Sequence, residues 1–281
     1  NLTSALRLSA DVHLASGDFE KAMSDLLKAQ KVNPREESTL GRLAVCYQLL
    51  KKNKEFDALV AEVKKYNKKP GEFYLVMGTA LNARRHYAKA EEYLEEARKQ
   101  RPFLVSGIAE LGLLKMRMGE EKEAEPLLKK AFESDPFNVR VSNMRKVLRH
   151  LEKYETKETE HYRIRFDPKN DKALAAYLAE FLEAVYDDLS KQFQHKPKGK
   201  ILVEVFNNHE MFSGRTIALP DLHTIGACTG RMVAMVSPHG RGVRKPFNWG
   251  RVMRHEIVHI FNLDQTNSLL PHWFSEGVAV L

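Results

Sequence analysis

The chain has 281 residues, 43% of them hydrophobic and 29% charged, a balance that excludes an intrinsically disordered chain and fits one large domain or two ordinary ones. Its net charge is +8, unevenly spread: residues 1–154 hold 29 Lys and Arg against 22 Asp and Glu, whereas residues 155–281 hold 16 against 15. No apolar run approaches the length of a bilayer span, and no RNA-binding aromatic motif or Cys/His finger accompanies the basic excess, so neither a membrane span nor a nucleic-acid partner is expected. The chain opens at Asn1 without an initiator Met or a signal-peptide pattern, which reads as a piece of a longer product or a processed one. Basic runs such as "KKNKEF" and "KKYNKKP" read as solvated helix faces, with attraction to an anionic surface as the alternative. Cys46 and Cys228 are the only cysteines, too few for a disulfide framework.

The first half repeats. Proline closes a segment at Pro34, Pro102 and Pro136, spacings of 68 and 34 residues. A 34-residue frame aligns Ala10, Ala44, Gly78 and Gly112, small residues where two helices would cross closely. The same frame aligns Leu6, Leu40, Tyr74 and Ile108, then Ala22, Ala90 and Ala124, then Leu26, Val60, Leu94 and Leu128, and finally Ala29, Ala97 and Ala131. Helix-turn-helix units with this alternation resemble the tetratricopeptide repeat, in four units over about residues 3–136; "GDFEKA" and "RHYAKA" match its turn and second-helix start. The second unit departs, with Phe56 where Ala is usual and Lys68 where the closing proline belongs, and less regular packing is expected there. Residues 138–153 read as one further amphipathic helix, a cap for the stack or the joint to the next domain. The resemblance implies a concave face that binds a peptide or protein partner.

After the polar stretch "KYETKETE" the pattern changes. "HYRIRF" (161–166) alternates as a strand does. Residues 170–193 read as a helix with Leu174, Tyr177, Leu178, Phe181, Leu182, Val185 and Leu189 on one face. "KILVEVF" (200–206) is a second predicted strand, "NNHEMFSGRT" a short helix or turn, "LPDLHTIG" a loop and "GRMVAMVSP" (230–238) a third strand. "KPFNWG" leads into a helix carrying "HEIVH" (255–259). Strands mixed with long helices give an α/β or α+β module.

On a helix, His255 and His259 stand four residues apart and project from one face, where one Zn²⁺ can accept both imidazoles. Glu256 lies beside the first of them, suited to take a proton from a metal-bound water. A hydrolytic zinc site needs a third protein ligand and an open position, and Glu276 follows His259 by 17 residues, beyond a turn at "LDQTNSLLP" that folds a second helix back beside the first.

HExxH followed by "PHWFSEGVAV" resembles the gluzincin metallopeptidases of the peptidase MA group, and most of all the bacterial peptidase-MA-like domains attached to tetratricopeptide repeats; the likeness covers about residues 155–281. It implies His255, His259 and Glu276 as zinc ligands, Glu256 as general base, and peptide-bond hydrolysis. It also makes "GRMVAMVSP" the edge strand that pairs with an extended substrate. The aminopeptidase branch carries an acidic residue where "GACTG" (226–230) has none, which points to an endopeptidase. Ser275 stands where Asn is frequent before the third ligand, and the oxyanion-stabilising Tyr or His would lie past Leu281, so residues 1–281 alone are expected to bind metal with little activity.

His272 reads as a surface or packing residue, Trp249 and Trp273 as core aromatics, and Arg215 as a partner in a structural salt bridge. Asp264 is a candidate acceptor behind a ligand histidine, and His223 and His239 are loop residues near the expected cleft. The expected architecture is multidomain: an all-α tetratricopeptide α-solenoid with its capping helix over residues 1–153, then an α+β gluzincin-like subdomain over residues 154–281. The expected function is a monomeric zinc metallopeptidase, acting on a peptide or protein substrate, with a protein partner on the repeats and an extracytoplasmic location in a bacterium. The alternative is a catalytically inactive peptidase-like scaffold that serves as a protein-interaction module.

Overall fold

The structure is a computed structural model and describes residues 2–243 and 245–280. Among these, nine helices precede the first strand: α1 (Leu2–Ser16), α2 (Phe19–Val32), α3 (Glu37–Leu49), α4 (Asn53–Tyr66), α5 (Gly71–Ala83), α6 (Tyr87–Gln100), α7 (Val105–Met118), α8 (Glu121–Ser134) and α9 (Val139–Leu151). They are the tetratricopeptide-like helices that the 34-residue frame predicts, and α9 is the further amphipathic helix. Contacts divide the chain into two compact units, Asn1–Leu111 and Gly112–Leu281, with the boundary inside α7.

In the first unit α1 pairs with α2, α3 with α4 and α5 with α6. Small residues set how closely each pair approaches. A Cβ on Gly78 would sit 2.6 Å from Leu94 Cγ, so α5 and α6 cross where only hydrogen fits. Ala10 and Ala44, at the equivalent positions, are fully buried, as are Ala22 and Ala90 on the second helices of their pairs. The departure in the second repeat shows in α4, which buries only Leu59 and Val63 and leaves Phe56 and Val60 partly exposed.

The second unit opens with the end of α7 and α8, held by the same device: a Cβ on Gly112 would meet Leu128 Cδ2 at 3.0 Å. Asn138 caps α9 by accepting from the Val141 N–H at 3.2 Å, and Val141, Met144, Val147 and Leu151 form its buried face. Then come β1 (Glu155–Glu158), β2 (Tyr162–Phe166), α10 (Lys172–Phe193), β3 (Ile201–Asn208), α11 (His209–Ile217), β4 (Gly226–Cys228), β5 (Met232–Arg241), α12 (Trp249–Gln265) and α13 (His272–Val280). The five strands form one mixed sheet in the order β1-β2-β3-β5-β4, with β2, β3 and β5 parallel and β1 and β4 antiparallel at the edges.

The continuous apolar run of β3 follows from burial on both faces. Val203 and Val205 join Tyr162, Ile164, Val233 and Met235 in a core shared with α10 and α12. Leu202, Glu204 and Phe206 alternate onto the opposite face, where Phe206 lies beside His150, Tyr154 and Phe212.

Three expectations change here. "GRMVAMVSP" is not an edge strand: β5 lies between β3 and β4, because the chain folds back at Gly230 (φ +90°) and pairs Cys228 with Val233. Part of "KYETKETE" is a strand, β1, paired from Glu155↔Phe166 to Glu158↔Arg163. Tyr177 is 67% exposed rather than on the buried face of α10. Buried polar groups tie the end of α7 and the start of α8 to the sheet. Arg215 on α11 is fully buried, as the salt-bridge expectation had it; it donates to Glu204 Oε2 at 2.6 Å, to Glu121 Oε1 at 2.8 Å and to the Met116 carbonyl.

Candidate metal centre

Asn248 starts α12 by accepting from the Arg251 N–H at 3.0 Å. Met253, Ile257, Ile260 and Phe261 then anchor one face of the helix in the core, which turns His255, Glu256 and His259 toward α13 and β4. The chain reverses through Asn267 and Ser268, both in the left-handed region (φ +50° and +60°), and the Ser268 N–H closes on the Leu263 carbonyl at 2.8 Å. Helix α13 then runs antiparallel: His255 faces Ala279, while His259 faces Ser275 and Glu276.

This hairpin brings three donors together. His255 Nε2 lies 3.2 Å from His259 Nε2 and 3.4 Å from Glu276 Oε2, and His259 Nε2 lies 3.5 Å from Glu276 Oε1. Among the described residues these three form the metal-competent group, with one ligand atom from each lying within 4.8 Å of the others. A zinc ion about 2.0–2.2 Å from each tetrahedral ligand leaves neighbouring ligand atoms about 3.3–3.6 Å apart; the histidine nitrogens lie near that spacing, and each is close to a different oxygen of the Glu276 carboxylate.

The far sides of both rings fix which nitrogen faces the centre. His255 Nδ1 is 3.2 Å from the Ala279 carbonyl, which only accepts, so Nδ1 carries the proton and Nε2 presents a lone pair. His259 Nδ1 is 2.8 Å from Ser275 Oγ, whose own proton goes to Asn262 Oδ1 at 3.3 Å, so the same holds there. With both Nδ1 atoms engaged on the outer side, the two Nε2 atoms and the Glu276 carboxylate face one another, a donor set that fits a cation. Ser275, where Asn is frequent, thus holds the His259 ring through this hydrogen bond. Neither Asn262, one turn beyond His259, nor the Ala279 carbonyl stands out in the sequence; the i,i+3 spacing to His259 is the one available signal for Asn262.

Glu256 is buried and close to the edge strand: a Cβ on Gly226 would meet Glu256 Oε1 at 2.9 Å and Val252 Cγ1 at 2.6 Å. Only a glycine lets β4 lie this near the carboxylate.

Other candidates fall elsewhere. Asp264 accepts from His195 at 2.8 Å and does not back a ligand histidine. Trp249 packs edge-on against Phe181 at 5.3 Å, but Trp273 is 75% exposed, since α13 buries only Ser275. His223 and His239 are not part of the donor group. His272 is exposed, as expected, yet its Nδ1 is 3.5 Å from Glu276 Oε1. Cys46 and Cys228 are both buried free thiols.

Comparison with known proteins adds to this geometry in the repeats. The family model described as Tetratricopeptide repeat matches residues 5–36 and 107–138. No curated protein matches the chain. A solved structure titled "Crystal structure of MamA" is similar at 22% identity, covering 50% of this chain and 81% of that one with a TM-score of 0.33. The chain thus carries tetratricopeptide repeats, a protein-interaction module that implies protein partners.

Proposed function

We propose that the chain is a protein-binding repeat protein whose second unit carries a zinc-dependent endopeptidase centre, with zinc held by His255, His259 and Glu276. One observation carries this reading: the Nε2 atoms of two histidines and a carboxylate converge with one ligand atom from each within 4.8 Å of the others, and the back of each ring is pinned. Bound zinc would polarise the scissile carbonyl and make water a nucleophile at neutral pH. Glu256 takes the proton of the attacking water on its carboxylate and returns it to the departing amine. β4, the terminal strand beside Glu256, offers backbone groups to which an extended peptide can add. The likeness to exported bacterial domains supports an extracytoplasmic location.

The test is elemental zinc analysis together with peptide hydrolysis. One zinc per chain is expected, lost in His259→Ala and kept in Glu256→Gln, while Glu256→Gln lowers hydrolysis by about 10²–10⁴-fold. A chain without zinc after reconstitution, or a Glu256→Gln variant as active as the parent, refutes the reading.

A second reading has its own support in the matched repeats at residues 5–36 and 107–138: an interaction scaffold whose peptidase-like unit is catalytically silent. Under it, partner binding survives every substitution at the donor group, and no peptide is cleaved with zinc bound.

A further inference from the structure

Every repeat closes its first helix in the same way. The Asp18, Lys52, His86 and Glu120 N–H groups, one per repeat in the 34-residue frame, donate to the His13, Tyr47, Leu81 and Lys115 carbonyls at 2.8–3.0 Å. The residue before each donor is left-handed: Gly17 (φ +86°), Lys51 (φ +56°), Arg85 (φ +63°) and Gly119 (φ +78°). Glycine takes this turn without strain, and the tetratricopeptide family model matches the two glycine repeats, residues 5–36 and 107–138. The middle two repeats hold a lysine and an arginine in a conformation that residues with a Cβ rarely adopt. Main-chain hydrogen bonds satisfy the turn in all four repeats, so its closure does not call on the basic side chains.

Those side chains are free. Among the described residues no carboxylate pairs with Lys51, Lys54 or Arg85, whereas Lys52 faces Glu55 at 3.8 Å and Arg84 turns inward, over the Phe19 ring at 4.6 Å and onto the Leu14 carbonyl. Lys51 and Lys54 are exposed and Arg85 is half-exposed. Helices α3 and α5 pack against each other, so the turns at their ends stand about one helix spacing apart, about 8–10 Å. Carboxylates three residues apart on an extended peptide share a face and are separated by about 9 Å. No exposed large apolar side chain lies in residues 50–56 or 83–89, so a lipid surface would find charge there without an anchor. We infer that Lys51, Lys54 and Arg85 form a docking edge for an acidic segment of a protein partner. This rests on the protein-binding half of the reading above and not on the metal centre.

The experiment measures binding of fluorescein-labelled deca-glutamate to the full chain by fluorescence anisotropy at low salt. It compares the parent with Lys51→Gly/Arg85→Gly and with the charge-matched Lys64→Ala/Lys65→Ala, whose lysines are exposed in the last turn of α4. The expected result is binding by the parent that weakens at least about 10-fold in the glycine variant and less than about 2-fold in the other. Because glycine relieves the left-handed turns, the Tm of the glycine variant should equal or exceed that of the parent. Equal weakening in the two variants would reduce the effect to net charge, and a lowered Tm would give the basic residues to the fold; either overturns the inference. So does a parent that ignores deca-glutamate, or that binds vesicles of phosphatidylserine and phosphatidylcholine instead. Equal binding by the parent and the glycine variant overturns the docking edge while leaving the repeats as a protein-binding module. Zinc content should be the same in all three chains, so none of these failures touches the metal-centre reading.

Discussion

Replacing Arg215 with Met tests whether the fourth repeat and the sheet are one structural unit. The guanidinium is fully buried and holds Glu204, itself fully buried, together with Glu121 and the Met116 carbonyl. Burial opposes its charge, but the Glu204 and Glu121 carboxylates outweigh that and raise its pKa, so the arginine stays charged. Arg215→Met strands the Glu204 carboxylate in the interior with one remaining partner, Arg165 Nη1 at 2.9 Å. Breaking a buried ion pair costs about 3–5 kcal/mol, and the surviving Arg165 contact places this loss near about 3 kcal/mol. For a unit of this size that corresponds to a fall of about 6–12 °C in Tm.

Both tryptophans, Trp249 and Trp273, lie in the second unit, so fluorescence excited selectively at tryptophan during urea unfolding reports that unit alone. The double variant Arg215→Met/Glu204→Met removes both charges and leaves Arg165 paired with Glu121 at 3.1 Å. Because well-packed apolar replacement of a buried pair is often neutral or better, the double variant should recover more than half of the single variant's loss. A single-variant loss below about 1 kcal/mol, or a double variant less stable than the single, refutes the assignment of this network as the tie between α7, α8 and the sheet.

Three further outcomes are expected. Gly78→Ala should destabilise the first unit by about 1–2 kcal/mol in chemical denaturation, since its Cβ would meet Leu94 at 2.6 Å, whereas Gly107→Ala, with nothing closer than 3.7 Å, should be neutral or slightly stabilising. Gly226→Ala should push Glu256 or β4 aside and reduce peptide hydrolysis by about 100-fold while zinc content stays unchanged; retained activity would show that the close approach is incidental. Asp25, whose carboxylate accepts from Ser9 Oγ at 2.7 Å and pairs with Lys28, has its pKa held below its ordinary 3.8. The resulting stabilisation is present above 3.8 and lost as pH falls through the depressed folded value, so the stability difference between the parent and Asp25→Asn should shrink on acidification, as read by far-UV circular dichroism.

The helices were legible because the repeat writes its packing into residue size. Gly78 and Gly112 are small where Leu94 and Leu128 arrive, and those leucines recur in the same 34-residue frame. The edge strands were not legible for an equally definite reason. β1 is "ETKE", exposed along its whole length, so no apolar alternation marks it, and only pairing with β2 makes it a strand. β4 has three residues, too few for a period, and depends on the reversal at Gly230. Missing β4 also misplaced the sheet edge, because a strand that looks terminal in sequence becomes internal once a short hairpin arm covers it.

The donor group divides the same way. His255, His259 and Glu276 are fixed by helix spacing and one turn, both of which sequence records. The partners that turn their lone pairs inward are a main-chain carbonyl, Ala279, and a hydroxyl relayed to Asn262, and neither carries a spacing rule.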